Sequence, residues 1–123
     1  MVELISMLLH SRTQAQVFHW VVSGEGSFAA HKALQEYYDG IVDIIDTIVE
    51  GYQGKYGIQK FKPVNGIDNN GDAENIISYF EKLNKFVESR RKSNDLNHSF
   101  IQNEIDNIEL LINTTLYKLK NLK

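Results

Sequence analysis

The chain contains no cysteine and a single proline, Pro63, among its 123 residues. Without thiols it can form no disulfide, no thiolate metal site and no cysteine nucleophile. Any metal ion must therefore be held by histidine, carboxylate or neutral oxygen ligands. Because proline interrupts helix interiors, its scarcity favours a helical protein.

The sequence also lacks a basic excess and a long apolar run, and no leader is expected. Its formal net charge of −3 is opposite in sign to the footprint of a dedicated nucleic-acid binder. No apolar run approaches the roughly 18 residues of a membrane span, so no membrane partner is expected. The first residues lack the basic-then-apolar order of a signal peptide. We therefore expect a soluble, cytoplasmic protein, and its length predicts one domain over residues 1–123.

Apolar residues recur at spacings of four and three in four segments, which predicts helices over about 2–23, 28–53, 73–92 and 96–121. No segment shows a convincing strand alternation, so the predicted fold class is all-α. The expected core faces are Leu4, Leu8, Ser11, Ala15, Phe18 and Val22; Leu34, Tyr38, Ile41, Ile45, Ile48 and Tyr52; Ile76, Phe80, Leu83 and Val87; and Ile101, Ile105, Ile108, Ile112, Thr115, Leu119 and Leu122.

The three connections between the predicted helices are short, long and short, in that order. Gly24 suits a left-handed position in the first turn, and Ser27 and Asp72 suit the N-caps of the second and third helices. The long connection, residues 54–72, is dense in glycine. Its expected apolar anchors are Ile58, Phe61, Val64 and Ile67. This order predicts a four-helix bundle with a long crossover between its second and third helices, the ferritin-like connectivity.

Two histidines flank the first turn at equal distances from its centre near Glu25. In an antiparallel helix pair equal offsets mean equal height, so His19 and His31 are expected to be neighbours. Asp46 and Glu50 lie one turn apart on one face of the second helix and can chelate one cation. Nitrogen and carboxylate ligands without sulfur suit iron, manganese or zinc. A coincidence of spacing remains the alternative for the histidines.

The carboxylates are too distant to share an ion with these histidines, because His31 and Asp46 are about 22 Å apart at 1.5 Å per residue. Either the chain carries two unrelated half-sites, or a second chain completes one site. An antiparallel copy of the second helix would bring them together if a two-fold axis crossed near Asp39 and Gly40. Gly40 itself indicates either a tolerated imperfection or a close helix crossing. A solvated acidic face is the simpler interpretation of the strip Gln35, Asp39, Asp43, Asp46 and Glu50.

Over the first two helices the sequence resembles the Dps family of miniferritins, whereas the last two helices match only in pattern. The residues that carry this resemblance are His19, Trp20, Gly24, Phe28, His31, Asp46 and Glu50. The resemblance implies a ferritin-like bundle that pairs about a two-fold axis and assembles into a hollow dodecamer. It also implies oxidation of Fe(II) by peroxide or oxygen, iron storage, oxidative protection and shielding of DNA.

By this resemblance His19, His31, Asp46 and Glu50 are the catalytic iron ligands, with zinc or manganese as substitutes for iron. Trp20 would be a redox-active aromatic, its alternative role being that of a core or interface side chain. Gln35 stands where the family usually has an acidic residue, which predicts one weakened metal position.

Two further departures concern assembly. The crossover is too short for the extra helix that the family places at its dimer interface, so a dimer and a dodecamer both remain open. No lysine-rich N-terminal arm is present, so DNA binding is not carried over. Short chains of this kind also resemble bacteriophage products, which allows either a bacterial cell or a phage host's cytoplasm as the setting.

Two alternatives to the ferroxidase stay open. A Dps-like assembly or interaction protein with a degraded metal site is the second reading. A nucleic-acid-associated protein using Arg90, Arg91 and Lys92 is the third, although these residues also fit a charged helix end. The basic tail, Lys118, Lys120 and Lys123, fits a helix end as well. His10 and His98 show no partner in the sequence and are expected at the surface or at helix ends.

Overall fold

The structure, a computed structural model, describes residues 1–122, and within that range it is all-helical. Its four α-helices are α1 (Val2–Val21), α2 (Ser27–Tyr56), α3 (Ala73–Arg90) and α4 (Ser99–Asn121), with a short 3₁₀ turn at Asn94–Leu96. α1 packs on α2, α2 on α4 and α4 on α3, while α1 and α3 meet more sparsely. The predicted all-α four-helix bundle with one long crossover is confirmed. Lys123 of the basic tail lies outside the described residues.

The predicted core faces are largely buried, and that of α3 is buried at every position. The main exception is in α2, where Tyr37 is buried in the core instead of the predicted Tyr38. Tyr37 is fully buried, and its hydroxyl shares a hydrogen bond of 2.7 Å with Ser11 Oγ. Burial raises the pKa of Tyr37, so this hydroxyl stays protonated. At the ends of the predicted faces, Leu122 is exposed.

The helix ends differ from the predicted caps. Ser27 is the first residue of α2 rather than its cap, and Gly26 occupies the N-cap position with a φ of 78°. Gly24 adopts the predicted left-handed conformation, with a φ of 91°. Asp72 precedes α3 as predicted, but its side chain makes no cap hydrogen bond. α4 starts at Ser99 because the residues before it form the 3₁₀ turn.

The crossover, residues 57–72, runs along α1 and is attached to it by hydrogen bonds. Gln14 is 1% exposed; its side-chain nitrogen donates to the Asp68 carbonyl (2.7 Å), and its oxygen accepts the Asp68 N–H (2.8 Å). Further along, the Ser23 N–H donates to the Gly71 carbonyl. The crossover therefore travels from the N-terminal half of α1 to its C-terminal end, so that α2 and α3 run parallel across the bundle.

Of the expected apolar anchors of the crossover, Ile58 is wrong, since it is 85% exposed. Phe61, Val64 and Ile67 are 36%, 38% and 40% exposed, and the last two line a depression together with residues of α1 and α3. Polar contacts also attach the crossover. His10 was expected to have no partner, but its Nε2–H donates to the Gly66 carbonyl (2.6 Å) and its Nδ1 lies 2.9 Å from the Tyr79 hydroxyl. His10, which stands on α1, thereby links the crossover to α3 through its two ring nitrogens. His98 does lie at a helix end, immediately before α4.

A second polar clamp joins α3 to α4. Arg91 follows α3 and donates to Asp106 (2.6 Å), to Glu109 (2.7 Å) and to Gln102. The hydrogen bond to Asp106 is the main reason why the pKa of Arg91 is raised. Arg90 lies 3.6 Å from Glu3. Two of the three expected surface cations thus have acidic neighbours within the chain, which weakens the case for a nucleic-acid surface there.

The contact between Gly71 and α1 gives a first prediction. A Cβ at Gly71 would lie 2.1 Å from the Val21 carbonyl oxygen, a backbone atom that cannot move aside cheaply. We expect Gly71→Ala to lower the free energy of unfolding by about 1–3 kcal/mol, as overpacking does elsewhere. Gly54→Ala is the matched control, because Gly54 lies in α2 with no neighbour within 4 Å. It should be neutral or stabilise by up to about 1 kcal/mol. Chemical denaturation measures both, and equal effects would refute the close contact.

The Asp68 carboxylate gives a second prediction. Its pKa is held below the usual value by hydrogen bonds from the Asn75 side chain (2.7 Å) and from the Asn70 N–H (2.9 Å). A carboxyl with a lower pKa in the folded state contributes stability above its unfolded pKa and loses it as the pH falls through the folded value. The free energy of unfolding should therefore fall less steeply in Asp68→Asn than in the wild type, between about pH 5 and pH 2. Identical slopes would contradict this assignment.

Candidate functional site

The hairpin between α1 and α2 places two histidines against each other. The ring centroids of His19 and His31 are 3.6 Å apart, and the ring planes are inclined by 17°. Each ring stands on a different helix, and the short turn at residues 22–26 fixes their common height. The prediction that equal offsets make these side chains neighbours is confirmed.

Reciprocal hydrogen bonds hold the pair. The Nδ1 atom of His19 lies 2.7 Å from the His31 carbonyl oxygen, and Nδ1 of His31 lies 2.8 Å from the His19 carbonyl oxygen. A carbonyl only accepts, so Nδ1 carries the proton on both rings. In a neutral imidazole the other nitrogen, Nε2, then presents a lone pair. A backbone carbonyl that fixes the tautomer in this way is the usual support of a metal-binding histidine.

The end of α1 explains why the His19 carbonyl is available. His19 lies in the last turn, where helix carbonyls lack an intrahelical partner. The N–H of Ser23, four residues on, donates to Gly71 instead. The histidine pair therefore also satisfies a helix end, and a purely structural role for Nδ1 is compatible with a metal-binding role for Nε2.

The histidines lie in an open depression of about 410 Å³ with an aromatic rim. Trp20 is 68% exposed and Phe28 is 72% exposed, and both line the depression. Trp20 is thus excluded from the core, which leaves an interface or redox role for it. Tyr38 contacts His19 edge to face at 5.5 Å between centroids. Tyr38 is therefore partly buried, packed against both His19 and the core.

The structure does not bring the carboxylates to the histidines. Asp46 and Glu50 are exposed on α2. Because α2 is one continuous helix, the separation of about 22 Å between His31 and Asp46 holds. Within residues 1–122, no three histidine, aspartate or glutamate side chains are grouped closely enough to hold a metal ion. One chain by itself therefore does not bring the predicted ligands together.

Gln35 and the acidic strip are also exposed. Gln35 lies one turn after His31, on the side of α2 that carries Asp39, Asp43, Asp46 and Glu50. A sequence reading alone missed Arg12, which shares a shallow depression with Asp46 between α1 and α2. Arg12 and Asp46 form no ion pair within residues 1–122. No periodicity signals this shared depression, because the two residues stand on different helices.

Gly40 has a partner within its own chain. A Cβ at Gly40 would lie 3.3 Å from Leu111 Cδ2, so the close helix crossing at this glycine is that of α4. The glycine is therefore no argument for a two-fold axis. An axis near Asp39 and Gly40 stays a prediction that rests on the histidines and carboxylates alone.

The fold and the site define a four-helix bundle with one long crossover and a surface pair of histidines. Residues 23–119 match DUF5856, a family of unknown function, and the chain belongs to that family. No curated protein and no solved structure matches the chain. The matched region contains His31, Asp46 and Glu50 and begins after His19 and Trp20. Across residues 1–122, no helix is long and apolar enough to cross a membrane.

The hydrogen-bond geometry predicts the tautomers of three histidines. At a pH where the imidazoles are neutral, His19 and His31 should carry the proton on Nδ1, whereas His10 should carry it on Nε2 because Nε2 donates to Gly66. Long-range proton–nitrogen correlation spectra of nitrogen-labelled protein distinguish the two forms. His10 serves as the internal control. An Nε2–H tautomer at His19 or His31 would refute the reciprocal arrangement and remove the free Nε2 atoms.

Proposed function

We propose that the chain is a Dps-like miniferritin that binds Fe(II) between two subunits, oxidises it and stores the ferric product. The observation that carries the proposal is the stacked pair, His19 and His31, whose Nδ1 atoms are occupied and whose Nε2 atoms are free. Both rings are partly buried and line the same surface depression. Two nitrogens are too few for a stable site, so further ligands are needed.

A second copy of α2 supplies those ligands in the proposal. Asp46 and Glu50 lie at the opposite end of the same helix from His31, and all three are accessible. An antiparallel copy whose axis passes near Asp39 sets the carboxylates of one chain against the histidines of the other. Two-fold symmetry repeats the contact, so each dimer has two identical sites. The resulting set of two imidazoles and two carboxylates suits iron, with manganese or zinc as competitors.

Iron is the substrate of the proposed reaction. Two Fe(II) ions each give one electron to one hydrogen peroxide, its O–O bond breaks, and two protons complete two water molecules. Oxygen is the alternative oxidant. Trp20 is the candidate redox-active side chain, since it stands exposed on the rim of the depression. Neutral Gln35 adds no charge beside His31, so the proposal includes a weak second metal position.

A second candidate function is a non-catalytic Dps-like assembly or interaction protein. The exposed rings of Trp20 and Phe28 favour it, because large exposed apolar side chains that lie together mark contact surfaces. Under this reading the histidine pair closes the helix hairpin and the same two-fold contact forms without redox chemistry. Light scattering gives the assembly state, a dimer or a dodecameric cage, for either function. We expect no DNA binding from either one.

Subunit mixing tests the shared site. His31→Ala and Asp46→Ala should each bring Fe(II) oxidation by peroxide to the protein-free rate. Equal amounts of the two variants, unfolded and refolded together, should regain about a quarter of the wild-type rate, because half of the dimers are mixed and each has one of its two sites intact. The rate is followed by absorbance of the ferric product.

The matched control for this mixture is His31→Ala refolded with the double variant His31→Ala, Asp46→Ala, which contains no intact site in any dimer. Rates equal to the wild type in both single variants would rule out the ferroxidase. Loss in both without recovery in the mixture would rule out the inter-subunit site. A wild-type chain that assembles but leaves Fe(II) oxidation at the protein-free rate supports the second function.

A further inference from the structure

A groove of about 610 Å³ lies between α1, α3 and the crossover, and it contains no residue of the histidine site. We propose that this groove binds a medium-chain fatty acid, with the hydrocarbon tail against Met7, Leu83 and Phe86 and the carboxylate at Lys82. Its volume falls within the range of about 300–1,000 Å³ that is typical of small-molecule sites.

Four of the polar side chains that line the groove, those of His10, Gln14, Asp68 and Tyr79, are already paired, which favours an apolar tail. Asn65, which is exposed in the crossover, is outside these hydrogen bonds. His10 uses both ring nitrogens, on Gly66 and Tyr79, and Gln14 uses both ends of its amide on Asp68. Burial raises the pKa of Tyr79, so its hydroxyl remains protonated and donates to His10. A sugar or nucleotide in this groove would leave most of its own polar groups unpaired, which costs binding free energy. A hydrocarbon tail has no polar groups that this groove would leave unpaired.

The charged residues of the groove indicate the head group of the ligand. Lys82 lines the groove, its side chain is exposed, and it forms no ion pair or hydrogen bond within residues 1–122. Asp68 is the acidic residue of the lining, and its carboxylate oxygens already accept hydrogen bonds from Asn70 and Asn75, which keep it ionised. The two charges of the lining therefore balance, but the Lys82 ammonium is the one left without a hydrogen-bond partner in the described chain, so it can pair with a ligand carboxylate.

The groove is preformed rather than dependent on a ligand. Its outer wall is residues 64–68 of the crossover, which the contacts of His10 and Gln14 hold against α1. At the end of the crossover, Gly71 lies in close contact with Val21. A ligand that enters between α1 and α3 meets a wall attached by polar bonds, and it gains the burial of apolar surface without ordering the chain.

Calorimetric titration with octanoate, octanol and acetate tests the proposal on the full chain. Octanoate should bind saturably and acetate should not. Lys82→Gln should weaken octanoate about two- to fivefold, the effect of one exposed ion pair, and leave octanol unchanged. Lys85→Gln is the matched control, since Lys85 is an exposed lysine of α3 outside the groove. It should bind octanoate like the wild type.

The two methionines locate the ligand. Met7 lines the groove, whereas Met1 does not, so labelled methyl groups report on the site separately from the rest of the chain. Octanoate should shift the Met7 methyl signal and leave that of Met1 in place. The proposal is overturned by absence of saturable binding, by equal octanoate affinity in wild type and Lys82→Gln, by equal weakening in both lysine variants, or by a Met7 signal that does not move.

Discussion

The paired hydrogen bonds between the Gln14 side chain and the Asp68 backbone are the contact on which the arrangement of the bundle depends. A buried amide must be satisfied, and here the chain does so with both backbone groups of a single crossover residue. This contact holds the crossover, which has no secondary structure, along α1. As a result, α3 begins at the same end of the bundle as α2. The groove between α1 and α3 exists because the crossover is attached there.

The histidine pair depends on a different and more local constraint. The short turn between α1 and α2 leaves His19 in the last turn of one helix and His31 in the first turns of the next. Each ring then donates to a carbonyl of the opposite helix, and its second nitrogen makes no hydrogen bond within residues 1–122. Chemistry at this point needs ligands that the same chain carries at the far end of α2, so the proposed activity depends on how two chains meet.

α1 carries both features, on different sides. Gln14 and His10 face the crossover, while His19 faces α2. The family match begins at residue 23, so membership in DUF5856 rests on α2, α3 and α4. The resemblance to miniferritins rests on His19 and Trp20 of α1, which lie outside the matched region, and on residues of the first turn and α2 within it. The two therefore overlap in the first turn and α2.

The amino-acid sequence by itself determined the number of helices, their approximate bounds, the core face of α3 and the common height of His19 and His31. These follow from helical periodicity and from equal offsets about a turn, which are local properties. Only the tertiary structure decided that Tyr37 rather than Tyr38 is buried, because adjacent residues straddle the edge of the apolar face and the hydroxyl of Ser11 on α1 selects one of them. Likewise, only the fold showed that Gly40 meets Leu111, that polar bonds attach the crossover, and which nitrogen of each histidine is free. Those features join residues far apart in the chain, and no periodicity encodes such pairings.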